Sequence, residues 1–165
     1  RSNKLAVNRG VPQGSVLGPV LFVLFTADFP AYTSPFCNTV MYADDTVLIM
    51  SSKNKEELEI GSYIALNMSV EFCTMNDLVF NESKTKQLIF GSLREEVSAL
   101  PNIECVEATK HLGVVIDGTM TWREHLDGLC SNLSSALFAL RRVKSISTSE
   151  AVMATYNSLF ESRLR

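Results

Sequence analysis

The sequence predicts an α+β domain with a mostly antiparallel sheet, followed by helices. Three observations carry this. Short runs of β-branched and aromatic residues, punctuated by turn residues, fill 37–50 and 78–116. Two longer segments, 54–75 and 121–144, repeat apolar residues at helical spacing. The order is helix, hairpin, helix, strands, hairpin, two helices, which favours packed helices beside an antiparallel sheet over βαβ units. A hydrophobic fraction of 46% against 20% charged residues allows a sizeable core and argues against disorder.

Residues 5–10 read as a short strand ending at Gly10. Gly10-Val11-Pro12-Gln13-Gly14-Ser15 is turn chemistry, since two glycines and a proline mark a defined backbone path. Pro19 suits the first turn of a helix. Val20–Phe25 is apolar all round, so a buried helix is expected to about Asp28, with Pro30 and Pro35 breaking the chain. Cys37 to Met50 reads as a β-hairpin with Val40, Tyr42, Val47 and Ile49 as strand formers around a polar Ala43-Asp44-Asp45 corner.

Asn54 with Glu57 is a capping box opening a helix to about Met75, ended by Asn76-Asp77. Its apolar stripes are Leu66, Val70, Cys73 and Ile60, Tyr63, Ile64. Leu78–Phe80 and Gln87–Phe90 read as strands around polar 81–85. Pro101-Asn102 makes a turn, and 103–106 with 112–116 read as an antiparallel pair. Thr121 with Glu124 is a second capping box. Leu126, Leu129, Cys130, Leu133, Leu137 and Leu140 follow as a core-packing stripe, with Arg141, Arg142 and Lys144 at the helix end that favours cations. Ser147 with Glu150 opens a last helix.

Several function classes are disfavoured. No leader sequence opens the chain, and the longest apolar stretch falls short of the ~20 residues a membrane span needs, so an intracellular setting without membrane contact is expected. Cys37, Cys73, Cys105 and Cys130 are too scattered for a zinc site and read as buried free thiols. His111 and His125 form no metalloprotease pattern. A net charge of -3 weighs against a simple nucleic-acid-coating module. The charge is uneven: residues 1–118 hold nine Lys/Arg against fourteen Asp/Glu, and 119–165 hold six against four. An acidic, metal-capable part followed by a mildly basic part fits a polymerase divided between catalytic and primer-holding regions.

Tyr42-Ala43-Asp44-Asp45 is the first candidate for chemistry. Adjacent carboxylates at a hairpin tip repel unless a counter-charge is near, and a divalent cation with hard oxygen ligands supplies one. Phosphoryl transfer asks a protein for metals, positioning and charge neutralisation. Alone, an Asp-Asp turn is more often an ordinary solvated corner. Other segments change that balance. Arg9 to Pro19, followed by an apolar helix, resembles motif B of reverse transcriptases, and Tyr42–Asp45 resembles their motif C. Asn81-Glu82-Ser83-Lys84-Thr85 leading to Phe90 resembles motif D. His111-Leu112-Gly113-Val114, with Trp122 and His125, resembles motif E and the start of the thumb in non-LTR (LINE-type, jockey-like) retrotransposons. Tyr156–Phe160 is similar to their next thumb helix.

The resemblance covers nearly the whole chain. It implies a polymerase palm-type antiparallel sheet over residues 1–118 and the first helices of an incomplete thumb over 119–165. It implies Asp44 and Asp45 as catalytic metal ligands for Mg²⁺, two ions in the complete enzyme, with Mn²⁺ as a substitute. Lys84 is implied as a catalytic residue near the triphosphate or as a general acid for pyrophosphate. Pro12, Gln13, Gly14 and Tyr42 are implied at the template and nucleotide, and His111, Leu112 and Gly113 as the primer grip. For Lys84 a solvated lysine, for 12–14 a structural turn, and for 111–113 a plain hairpin stay open as alternatives.

The implied reaction is RNA-templated transfer of deoxynucleotides from dNTPs onto a DNA primer 3′-hydroxyl. Its setting is nuclear during target-primed integration or cytoplasmic in a ribonucleoprotein. A third catalytic Asp, from motif A, and the fingers are expected upstream of residue 1. The rival expectation is an inactive, truncated or domesticated fragment that acts as a nucleic-acid- or protein-binding module.

Overall fold

The computed structural model describes residues 14–92 and 94–164. They fall into two compact units, one ending at Thr85 and including 97–103, the other formed by 86–96 and 104 onward. The expected strand at 5–10 and the turn as far as Gln13 lie outside the described residues. The architecture is α+β: helices with three two-stranded β ribbons, two of them antiparallel.

The first unit opens with α1 (Leu17–Phe25), where the Ser15 hydroxyl accepts the Gly18 amide at 3.0 Å. That satisfies one of the amide donors a helix leaves free at its start. The helix forms as expected but is not buried. Leu17, Val20, Leu21, Val23, Leu24 and Phe25 are exposed, and only Gly18 is buried. A helix apolar on every side needs neighbours on every side, and among the described residues no element packs along it extensively. Pro30 does not break the chain; it sits in the first turn of a short α2 (Phe29–Thr33), where its missing N–H costs nothing.

α2 leads into the antiparallel hairpin β1 (Asn38–Tyr42) and β2 (Asp45–Ile49). The Thr33 and Thr39 hydroxyls meet at 2.6 Å, and the buried Cys37 thiol donates to Thr33 O, so α2 and β1 are stitched together. α3 (Lys55–Met75) follows. Asn54 Oδ1 accepts the Glu56 amide at 2.9 Å. The return arm of the capping box runs through a relay: the Asn54 amide donates to Ser52 Oγ, whose hydroxyl donates to Glu57. At the other end Asp77 takes φ +55°, and the Leu78 and Asp77 amides reach back to Cys73 O and Thr74 O, a Schellman closure.

The buried stripe of α3 is Ser62, Ala65, Ser69 and Phe72, not the expected bulky stripes, and Ile60 and Tyr63 are exposed. The Phe72 ring lies 4.8 Å from Phe29 and 5.8 Å from Tyr32, both from α2. Segment 97–103 belongs to this unit, and the Ser98 amide donates to Glu59 at 2.7 Å. Leu78–Phe80 forms no strand: the Leu78 amide closes α3, and Val79 is exposed.

In the second unit β3 (Lys86–Leu88) pairs in parallel with β4 (Glu104–Val106). β5 (Ala108–His111) pairs antiparallel with β6 (Val114–Asp117). The expected partnership of 103–106 with 112–116 is therefore replaced, because the short Leu112-Gly113 connection lets 114–117 fold back on its immediate neighbour. α4 (Arg123–Ile146), α5 (Ser149–Tyr156), a π turn (Asn157–Glu161) and a short α6 (Ser162–Leu164) complete the unit.

The second capping box does not form as expected. The cap is Trp122, in the left-handed region at φ +61° and without a side-chain cap bond. The last cap is Thr148, one residue beyond Ser147, and its hydroxyl accepts the Ala151 amide. Only Ala136 of α4 is buried. Leu129, Leu133 and Leu140 are half-buried, whereas Leu126, Cys130 and Leu137 of the expected stripe are exposed.

The sizeable core expected from composition is not assembled. Among the described residues the buried apolar side chains are Phe29, Cys37, Ala65, Phe72, Ile103 and Ala136. All four cysteines are free, but Cys105 and Cys130 are exposed, since β4 is a short strand and Cys130 lies off the packed stripe of α4. No helix among the described residues is long and apolar enough to cross a membrane.

Candidate active site

Strand pairing builds the acidic tip. Thr39↔Leu48 and Met41↔Thr46 lie on one face, and Val40↔Val47 and Tyr42↔Asp45 on the other. The first face carries Thr39, which is anchored to α2; the second leaves Val40, Tyr42 and Ile49 exposed. Ala43 and Asp44 form the two-residue connection. Ala43 has φ +53°, a backbone conformation such loops usually give to glycine. For an L-residue that conformation costs roughly 1–2 kcal/mol.

Asp44 thus sits in the turn itself and Asp45 begins β2, opposite Tyr42, and both carboxylates are exposed. No ion pair or side-chain hydrogen bond ties either to another described residue. Two hard oxygen donor groups on a strand-braced tip, with no internal cation competing, suit a divalent metal ion. They make a partial ligand set, because no cluster of three or more His, Cys, Asp or Glu side chains occurs among the described residues.

The other expected residues are distributed. Pro12 and Gln13 lie outside the described residues. Gly14 is exposed with φ +84°, two residues ahead of the cap of α1. Lys84 is exposed in the turn after α3. Its amide donates to the carbonyl and side chain of Asn81, which also holds Ser83 and Thr85. No hydrogen bond or ion pair joins Lys84 to Asp44 or Asp45. Tyr42, Asp44 and Asp45 are brought together on one hairpin; Lys84 is held on a separate turn.

His111, Leu112 and Gly113 come together in the second unit, at the tip of β5–β6. Leu112 and Gly113 both have positive φ, +48° and +91°, the signature of a type I′ turn. At the other end of β6 from this turn, paired with Ala108, stands Asp117, which no motif singled out. Its carboxylate accepts the Thr119 amide at 3.0 Å and the Thr119 hydroxyl, the Thr121 amide at 3.1 Å and hydroxyl at 3.3 Å, and the Trp122 amide at 2.9 Å. The Thr119 hydroxyl first, then these amides, hold its pKa well below the usual carboxylate range. The signal was present in the sequence as an Asp followed by threonines two and four residues on, a pattern that folds into local side-chain to backbone bonds.

Residues 1–116 match the family described as reverse transcriptase (RNA-dependent DNA polymerase). The chain belongs to the reverse transcriptase family. It is similar to the RNA-directed DNA polymerase from mobile element jockey of Drosophila funebris, 32% identical over 139 residues, 78% of this chain and 15% of that protein. It is 33% identical over 162 residues to the probable RNA-directed DNA polymerase from transposon BS of Drosophila melanogaster, covering 89% of this chain and 18% of that protein. A putative 115 kDa protein in type-1 retrotransposable element R1DM of the same fly is 25% identical over 144 residues, 85% of this chain and 14% of its own length. The chain therefore spans less than a fifth of each of these curated relatives. No solved structure matches it. The non-LTR retrotransposon kind of reverse transcriptase expected from the motifs agrees with these relatives, and the family works with divalent metal ions.

Proposed function

We propose that residues 1–118 are the palm portion, and 119–165 the start of the thumb, of an RNA-directed DNA polymerase that extends a DNA primer on an RNA template. One observation carries the proposal: the hairpin that presents Asp44 and Asp45 side by side at an exposed, strand-braced tip. Family membership supports it. In the reaction the primer 3′-hydroxyl oxygen bonds to the α-phosphorus of a dNTP, and the bond to pyrophosphate breaks. Bound divalent ions, Mg²⁺ by preference and Mn²⁺ as a substitute, neutralise charge on the triphosphate and favour ionisation of the hydroxyl.

Asp44 and Asp45 would hold the ions. Pro12, Gln13 and Gly14 line the template and nucleotide; glycine admits close backbone approach. Tyr42, level with Asp45 on the neighbouring strand, borders the same nucleotide. Lys84 donates a proton to the departing pyrophosphate. The turn at His111, Leu112 and Gly113 bears on the primer end. The rival reading, an inactive binding module, is not favoured by the relatives.

The test is primer extension on an RNA template by the longest polypeptide that contains the chain, with dNTPs or NTPs. The proposal expects extension with dNTPs and loss of at least about a hundredfold in D44N, the scale of removing a charge-stabilising group from a transition state. Extension with NTPs alone, or a D44N variant as active as the parent, contradicts it.

A further inference from the structure

The β5–β6 hairpin is joined to α4 by a contact that its backbone logic requires. A two-residue loop closes on a hydrogen-bonded pair, here His111 and Val114. The next pair, Lys110 and Val115, is then a non-hydrogen-bonded one, so the Val115 amide points away from β5. That outward amide donates to His125 Nδ1 at 3.4 Å. A backbone N–H only donates, so Nδ1 carries no proton in this arrangement, and a ring proton belongs on Nε2.

Two residues further along β6, Asp117 takes the Trp122 amide at the α4 cap. The strand is thus fixed to the first turn of α4 at two points. The Leu112-Gly113 tip, which leads into β6 and ends two residues before Val115, is exposed. Its direction follows that of the β5–β6 ribbon, which these two points tie to α4.

We propose that His125 is a positioning residue for the primer-contacting turn 111–113, acting through the Val115 amide. This rests on the reading of that turn as primer-contacting. The role requires an acceptor atom at the place of Nδ1 and not merely a ring. Asn offers one at Oδ1, the same distance along the side chain. Gln moves it one bond farther, and Phe keeps a ring with no acceptor.

The test uses the ¹⁵N-labelled chain and H125N, H125Q and H125F, with two readouts. The first is amide hydrogen exchange at Val115, with the cross-paired Thr109 and Ile116 amides as the fold control. The second is binding of a fluorescein-labelled DNA primer annealed to an RNA template. Val115 exchange is expected to rise about tenfold in H125F and H125Q and to stay near wild type in H125N, the scale of losing one modest hydrogen bond. Hybrid affinity is expected to fall roughly fivefold in the same two variants and to be kept by H125N.

Unchanged Val115 exchange in H125F overturns the proposal. So does equal loss of hybrid affinity in H125N and H125F, or none in H125F. Should the wild-type chain bind no hybrid, the proposal falls with the reading of the turn. In that case the Val115 pattern shows whether the contact to His125 survives without its function.

Discussion

Asp117 accepts the Trp122 amide at 2.9 Å, so the residue that ends β6 holds the cap residue of α4 from five positions upstream. Its ionised form is the one these bonds hold, and its pKa in the fold lies below the ordinary 3.8. The bonds therefore stabilise the fold fully above that ordinary value, and the contribution is lost as pH falls below it. Asp117→Asn is expected to lower the melting temperature at pH 7 and to flatten its decline below about pH 4 relative to the parent. Circular-dichroism melts from pH 7 to pH 2 check this, and parallel pH curves for the two proteins would refute it.

Gly118 lies against backbone. A Cβ placed there meets Ile89 O at 2.7 Å, whereas one at Gly61 in α3 meets nothing within 4 Å. Gly118→Ala is expected to destabilise by about 1–3 kcal/mol, because the carbonyl cannot rotate aside as a side chain can. Gly61→Ala, in a helix interior, is expected to stabilise by up to about 1 kcal/mol. Urea unfolding of the pair gives the signs, and matching signs would contradict the packing described.

Ala43 at φ +53° makes a third prediction. Glycine there relieves roughly 1 kcal/mol of left-handed strain but adds similar freedom to the unfolded chain, so Ala43→Gly leaves stability almost unchanged. Ala43→Val places a β-branched residue in a conformation it rarely adopts and costs about 1–3 kcal/mol. Equal unfolding midpoints for Val and Gly at this position would show that the turn is not the one described.

The exposed face of α1 predicts self-association. Leu17 and Leu24 are among its most exposed residues, 66% and 67%, and contiguous exposed apolar surface promotes aggregation or partner binding. The double change Leu17→Glu, Leu24→Lys is expected to reduce light scattering with helix content unchanged. Scattering that stays the same would place the cause elsewhere.

Local signals made much of this molecule legible from sequence. Asn54 as cap and Asn76-Asp77 as terminator bounded α3, because both act within a few residues of the helix they end. The Tyr42–Asp45 hairpin was legible because strand formers flank a short polar corner. Where the deciding partner lies elsewhere, the sequence misled. Strand propensity at Leu78–Phe80 was overridden by the Schellman closure. β4 chose β3, a parallel partner eighteen residues back, which no periodicity encodes. The start of α4 departs from the capping box because Asp117 of β6 takes the Trp122 amide and the Trp122 backbone is left-handed. For the candidate site, residue identity singled out Asp44 and Asp45 and strand propensity gave the hairpin that carries them, while Lys84 sits, as the motif order implies, on the turn after α3.

Whether Asp44 and Asp45 hold the metal is tested by titrating Mn²⁺ into the ¹⁵N-labelled chain and watching which amide signals broaden. Broadening centred on Ala43, Asp44, Asp45 and Thr46, absent in the D44N/D45N double variant, is the predicted result. Broadening centred instead on the acidic residues around Asp117, or the same pattern in the double variant, would contradict it.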